Sequence, residues 1–192
     1  MPRNAPHLGG GPGAVLVEVR VQSLALDRST NTPVVILKEF DGERVLPIWI
    51  GPGEASAIAM QLADMEFARP LTHDLLCSVL RGLGGAVQKV IITRVESSTY
   101  YAELIVRRNG EVFSLDARPS DSIAVALRVE ASIFAQDDLL EEATIEIAEG
   151  ESIEKLGFEV QQPEAEQQAM GAEELKEHLR RLNPEDFGRF TP

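Results

Sequence analysis

Residues 34–50 read VVILKEFDGERVLPIWI. Two apolar runs flank the pair Asp41-Gly42, and glycine readily takes the positive φ that a tight turn requires. An Asp-Gly pair between two such runs is a strong short-range signal for a β-hairpin. The stretch therefore predicts two antiparallel strands, Val34–Phe40 and Arg44–Ile50.

Further strands and helices are predicted on both sides of this hairpin. Val15–Val21 alternates apolar and polar residues, which is typical of a half-buried strand. Three helices are predicted: Glu54–Leu62, one that starts with Thr72 as N-cap and ends near Gly82, and one that Ser120 caps and that runs to Val129. The remaining predicted elements are strands at 87–95, 100–106, 112–115 and 144–148, and a short helix from Asp137 or Asp138 to Ala143.

This mixture predicts an α+β fold with a mainly antiparallel or mixed sheet and three to four packed helices. A weak internal duplication is also considered, because a shift of 65 residues places Ile58, Ala59 and Leu62 on Ile123, Ala124 and Leu127. Three regions are expected along the chain: a disordered Gly/Pro-rich tail at 1–13, a domain at 14–158, and an acidic linker with a short helix at 159–192.

Charge is distributed unevenly. Residues 1–136 carry 15 acids and 13 bases, a net −2, whereas residues 137–192 carry 16 acids and 5 bases, a net −11. Because affinity for nucleic acid comes largely from basic surfaces, this balance argues against an architectural DNA-binding protein. A single cysteine, Cys77, excludes an internal disulfide and a thiolate metal cluster. We expect a cytoplasmic protein without membrane contact, since neither a spanning segment nor a secretory signal is recognisable.

Two polar clusters lie where a loop enters a predicted helix. The first is RPLTHD at 69–74, in which His73 is the histidine best placed for proton transfer near neutral pH. Asp74 could orient its ring or bind a metal. The alternative is structural: Thr72 caps the helix, and Asp74 interacts with the positive end of its dipole.

The second cluster is DARPSD at 116–121, which is predicted to be a loop. Arg118 suits a phosphate clamp, and Asp116 and Asp121 suit a shared Mg²⁺. Here the alternative is an Arg–Asp pair with Ser120 as the helix cap. Glu54 is interpreted as compensating a helix dipole, Cys77 as a small buried hydrophobe, and Trp49 and Tyr100 as packed aromatics that could otherwise stack on bases.

Several segments together resemble the bifunctional nuclease family of bacteria and plants. They are LPIWIG at 46–51, RPLTHDL at 69–75, TYYA at 99–102 and DARPSDSIA at 116–124. The resemblance implies an α+β body and a nuclease that acts on RNA and DNA with little sequence preference.

Two hypotheses follow. In the first, the chain hydrolyses phosphodiester bonds: Asp74, Asp116 and Asp121 hold a divalent cation such as Mg²⁺, Arg69, Arg118 and Ser120 bind substrate, and His73 is the base or acid. In the second, the same fold is a noncatalytic interaction or regulatory module. A homo-oligomer, with a dimer favoured, is expected in either case.

Overall fold

The computed structural model describes residues 15–143, 145–146 and 158–161. Contacts divide the chain into two units, 1–162 and 163–192, and every described residue belongs to the first. The expected N-terminal tail at 1–13 lies outside the described residues, and so does the sequence after Gln161, where the short C-terminal helix was expected (residues 172–182). The expected domain end at residue 158 falls at the first residue of a strand that continues to Gln161.

Four helices and nine strands make up the described part of the chain. The strands are β1 (Leu16–Asp27), β2 (Thr32–Glu39), β3 (Arg44–Trp49), β4 (Gly85–Glu96), β5 (Thr99–Arg108), β6 (Glu111–Ala117), β7 (Ser132–Gln136), β8 (Ile145–Glu146) and β9 (Phe158–Gln161). The helices are α1 (Pro52–Leu62), α2 (Thr72–Gly82), α3 (Pro119–Val129) and α4 (Asp137–Ala143).

All nine described strands belong to one sheet. Its order is β6-β5-β4-β7-β1-β2-β3-β8, and β9 pairs with the end of β1. Neighbouring strands are antiparallel except β4 and β7, which are parallel. β6 runs in the same direction as β4, and the chain crosses from β6 to β7 through helix α3, which lets β7 keep that direction. The predicted α+β class with a mixed sheet and packed helices is confirmed. Strands β7 and β9 were not predicted.

The hairpin predicted from residues 34–50 is confirmed. β2 and β3 pair with Val35 opposite Ile48 and Leu37 opposite Leu46, and all four side chains are buried. A second tight turn joins β5 to β6 at Asn109-Gly110, where both residues have positive φ, 52° and 84°. Such a pair of angles is typical of the hairpin turn that matches the twist of its strands.

Helix α3 lies at the centre of the helical layer. It contacts α1, α2, β4, β5 and β7, and the run Ile123–Ala126 is at most 1% exposed. A helix that is apolar all round is typical of such a central position. Because α3 holds the sheet on one side and two helices on the other, its first turn is fixed relative to both.

The helix starts differ from prediction. α3 begins at Pro119 with Arg118 as N-cap, and α2 begins at Thr72 with Leu71 as N-cap, so Ser120 and Thr72 are not the caps. Proline favours the first helical position because its missing N–H would have no partner there. α1 starts in the same way, with N-cap Gly51 before Pro52. These starts are 67 residues apart (118 − 51), not the 65 of the expected duplication, which stays a prediction.

Candidate functional site

A cleft of about 590 Å³ lies where two helix starts meet the end of β3 and the turn between β4 and β5. Its lining includes Trp49, Gly51, Glu54, Tyr100, Arg118 and Ser120. α1 and α3 both present their first turns to this cleft. The first N–H groups of a helix have no intrahelical acceptor and carry a partial positive charge, so two of them at one cleft favour an anion.

Arg118 is the central charged group of the cleft. As the residue before a proline it is extended (φ −68°, ψ 144°), and its side chain is 65% exposed. Its Nε and Nη2 donate to the two carboxylate oxygens of Asp121 at 2.7 and 3.2 Å, and its Nη1 lies 2.7 Å from Glu54 Oε1. The guanidinium therefore links the first turns of α1 and α3.

Asp121 also joins Arg118 to His73. His73 Nε2 lies 3.2 Å from Asp121 Oδ1, and the imidazole is only 14% exposed. Burial of Asp121 works to raise its pKa, but hydrogen bonds from Arg118 and His73 outweigh it and hold the pKa below its ordinary value. The carboxylate therefore stays ionised. Four side chains form one linked set, His73–Asp121–Arg118–Glu54, which we call the arginine cluster.

Asp74 lies beside His73 in sequence but makes a separate set of contacts. Its Oδ2 accepts a hydrogen bond from the Leu71 backbone N–H at 2.8 Å, and its Oδ1 pairs with Arg128 Nε. Burial opposes ionisation of Asp74, yet the Leu71 and Arg128 contacts leave its pKa lowered. Arg128 is 6% exposed and also donates to the carbonyls of Ala124 and Ala57. It thus holds α1, α2 and α3 together.

Asp116 does not join the arginine cluster. The segment 116–121 was predicted to be a loop, but β6 continues to Ala117 and only Arg118 connects it to α3. Leu115 and Ala117 pair with Leu104 and Ala102, whose side chains face the core, so alternation turns Asp116 to the opposite face of the sheet. Asp116 and Asp121 therefore lie on different sides of this layer.

The expected metal ligands Asp74, Asp116 and Asp121 do not converge. Asp74 is held by Arg128, Asp116 faces away, and only Asp121 belongs to the arginine cluster. Among the described residues, no group of three or more His, Cys, Asp or Glu side chains could hold a metal ion. A site with fewer protein ligands stays a prediction.

The two other residues expected to bind substrate, Ser120 and Arg69, lie at different hollows. Ser120 lines the cleft but is 7% exposed. Arg69 is exposed in the connection between α1 and α2, and it lines a second hollow of about 340 Å³ together with Asp74, Arg81 and Arg128. The structure thus brings His73, Arg118 and Asp121 together and leaves Arg69 outside the arginine cluster.

Sequence reasoning missed Glu54 as a partner of Arg118, and Arg128 altogether. A signal for Glu54 was present: α1 and α3 both start with proline at the first position and an acid at the third, as Gly51-Pro52-Gly53-Glu54 and Arg118-Pro119-Ser120-Asp121. Arg128 gave no comparable local signal, because its importance depends on the packing of three helices.

Comparison with known proteins identifies the family. The model of the bifunctional nuclease domain matches residues 35–148, so the chain belongs to that family. An uncharacterized protein of Mycobacterium tuberculosis strain H37Rv is 41% identical over 170 residues, which cover 88% of this chain and 97% of that protein. Bifunctional nuclease 1 of Oryza sativa subsp. japonica is 30% identical over 57% of this chain and 34% of its own length. Bifunctional nuclease 2 of the same plant is 27% identical over 76% and 48%.

The family model covers the whole arginine cluster, from Glu54 to Asp121. Within the part of the chain that the structure describes, no helix combines the length and apolarity needed to span a membrane.

Proposed function

We propose that the chain is a nuclease that hydrolyses phosphodiester bonds of RNA and DNA with little sequence preference. Membership of the bifunctional nuclease domain family and the names of its plant relatives support this proposal. The observation that carries it is Arg118, an exposed guanidinium in a cleft at the starts of two helices. This arrangement needs no residue that recognises particular bases, because Arg118 and the helix starts suit the phosphate that every nucleotide shares.

Arg118 would bind the phosphodiester with donors that its carboxylate partners leave available. A guanidinium has five N–H groups, and contacts to Asp121 and Glu54 use one each on Nε, Nη1 and Nη2. One N–H then remains on each terminal nitrogen, and these donors are available for the phosphate oxygens. The carboxylates hold the guanidinium in a fixed orientation before substrate arrives.

Glu54 is the group best placed to act as general base. It lines the cleft and lies 2.7 Å from the guanidinium that would hold the phosphate. Water would attack phosphorus while Glu54 takes its proton. The ester P–O bond then breaks, and the leaving oxygen takes a proton from solvent, which gives a phosphate monoester and a free hydroxyl.

His73 would act through Asp121. Neither residue lines the cleft, whereas Arg118 does, and the imidazole is largely buried behind the Asp121 carboxylate. We therefore propose His73 as a positioning residue that holds Asp121, which in turn holds Arg118. The role of base expected for His73 from sequence passes to Glu54 in this proposal.

Aromatic rings beside Arg118 suit nucleic acid as the substrate. Trp49 lines the cleft with 45% of its surface exposed, and its indole Nε1 donates to Asp27 Oδ2 at 3.0 Å. Tyr100 also lines the cleft. A base can stack on an indole regardless of its identity, and each such stack contributes about 1–3 kcal/mol.

The test is cleavage of short single-stranded RNA and DNA by the purified full chain, with EDTA and with added Mg²⁺. Arg118→Lys is expected to lower kcat/KM about 100-fold, since lysine offers no paired donors. Glu54→Gln is expected to lower kcat about 100-fold or more while oligonucleotide binding tightens, because a base is lost together with a negative charge. Loss of cleavage with EDTA and its recovery with added Mg²⁺ would support the expected divalent cation.

Arg94→Lys is the matched control. Arg94 pairs with Glu96 at 2.8 Å and stacks on the Tyr101 ring, and it does not line the cleft. It should retain wild-type activity. Equal cleavage by the wild type and both cleft variants would show a contaminant and refute the proposed site. We also propose that the protein acts in the cytoplasm, where its single thiol stays reduced.

One observation favours the noncatalytic alternative. Arg118 is paired with two carboxylates, so the cluster carries more negative than positive charge when His73 is neutral. A module that binds a partner without hydrolysis would show no cleavage by the wild type or by any variant, whether or not it binds oligonucleotides through Arg118. The cleavage assay therefore separates the two functions.

A further inference from the structure

Helix α2 turns an apolar stripe to the surface. Leu75, Leu76, Val79 and Leu83, which we call the α2 stripe, are 56, 41, 47 and 60% exposed. The buried side of the helix is formed by Cys77, with His73, Asp74 and Leu80 partly buried around it. Spacing alone would place leucines of such a helix against the core, so their exposure requires an explanation.

The edge strand β6 adds to this surface. Phe113 and Leu115 are 40 and 43% exposed, and their partners on β5, Val106 and Leu104, face the helical layer. Gly85, the first residue of β4, lies between the Leu80 carbonyl and Val106: a Cβ added there would meet them at 3.2 and 3.3 Å, so the end of α2 comes close to this part of the sheet. The α2 stripe and the two β6 side chains therefore lie on the same side of the sheet.

We propose that two copies of this chain associate through the α2 stripe, with α2 packed antiparallel on its counterpart and Val79 near the two-fold axis. A two-fold interface must be complementary to itself. The stripe meets that condition: an antiparallel pairing centred on Val79 places Leu83 of each copy beside Leu75 of the other, four positions to either side of the centre. The β6 side chains then extend the contact.

The exposed area favours a second copy as the occupant, and the stripe itself holds no charge that would oppose it. The six side chains expose on the order of 500 Å² of apolar surface, at the upper end of what a monomer usually shows. Two such patches and a polar rim reach the roughly 1,200–2,000 Å² of a standard stable interface. The chain carries a net charge of −13, which opposes self-association through acidic faces, but the stripe contains no charged residue.

The test is the mass of the purified full chain in solution at about 50 µM, a concentration at which even a micromolar dimer is mostly formed. We expect twice the chain mass of 21.0 kDa. Val79→Lys should weaken dimerisation at least 100-fold, since it buries a charge at the axis. Ser78→Lys is the control, because Ser78 is exposed on the same helix outside the stripe, and it should remain dimeric.

Circular dichroism checks that both variants are folded, and a second measurement avoids charge altogether. Val79→Cys should form a disulfide-linked dimer on mild oxidation with diamide, whereas Ser78→Cys should not; native Cys77 is 2% exposed and does not interfere. A monomeric wild type would overturn the proposal, whether the stripe is covered by residues 163–192, by another protein or by nothing. A dimer that Val79→Lys leaves intact, or a dimeric Val79→Cys protein that does not cross-link, would overturn it as well.

Discussion

Replacing Arg128 with methionine removes a guanidinium that hydrogen-bonds to α1, α2 and α3 while it keeps much of the apolar stem. Three contacts disappear: the ion pair with Asp74 and the donations to the carbonyls of Ala57 and Ala124. Because the Arg128 side chain is only 6% exposed, water can replace few of these contacts in the variant. Breaking a buried ion pair costs about 3–5 kcal/mol, and Asp74 is one-third exposed, so we discount the expected cost to about 2–4 kcal/mol.

Urea unfolding followed by circular dichroism measures this cost, which corresponds to a fall of about 1–2 M in the midpoint for a domain of this size. Asp74→Asn removes the ion pair from the other side. The double variant should cost about 1–3 kcal/mol less than the sum of the single variants, because both remove the same pair. Arg94→Met is the control: Arg94 makes an exposed ion pair with Glu96 and stacks on the Tyr101 ring, and its loss should cost no more than about 1 kcal/mol.

An Arg128→Met protein as stable as the control, or single costs that simply add, would refute this account of how the three helices are held. The geometry of the arginine cluster depends on the same packing, because His73 lies in the first turn of α2 and Asp121 in the first turn of α3.

Three further predictions concern single residues. Ser122→Ala should raise the free energy of unfolding by about 1 kcal/mol, because the Ser122 hydroxyl is buried without a hydrogen-bond partner; denaturant unfolding checks this, and a loss of stability would contradict it. The pKa of Asp121 is lowered in the folded state, so its stabilising effect is present above the ordinary value of 3.8 and is lost as pH falls below it. The Asp121→Asn melting temperature should therefore fall less steeply with acid than that of the wild type, and parallel slopes would disprove this. Binding of a single-stranded oligonucleotide should quench the fluorescence of Trp49, the chain's single tryptophan, and saturable binding with unchanged emission would exclude Trp49 as a stacking surface.

Local patterns sufficed for much of the fold. Strand alternation and the Asp41-Gly42 turn located the β2–β3 hairpin because its two strands are neighbours in sequence. Strand β7 has five residues between two helices, and β9 has four. Segments that short show little periodicity, so their pairing with β1 depends on contacts distant in sequence.

The candidate site was predictable only in part, for the same reason. The strand-to-helix turn at 116–121 identified Arg118 and Asp121 as a local pair. Asp116 was misplaced because β6 extends two residues further than predicted, and alternation along a strand decides which face a side chain takes. The matching starts of α1 and α3 draw attention to Glu54, but its pairing with Arg118 depends on the packing of α1 on α3.

The most direct test of the arginine cluster is a double-mutant cycle on kcat/KM for cleavage of a single-stranded oligonucleotide, with His73→Gln, Asp121→Asn and the double variant. If His73 acts by holding Asp121, which holds Arg118, we expect losses of about 10-fold and 100-fold for the single variants and no further loss in the double variant. Losses that multiply to about 1,000-fold would show that His73 contributes independently of Asp121 and would contradict the linked arrangement.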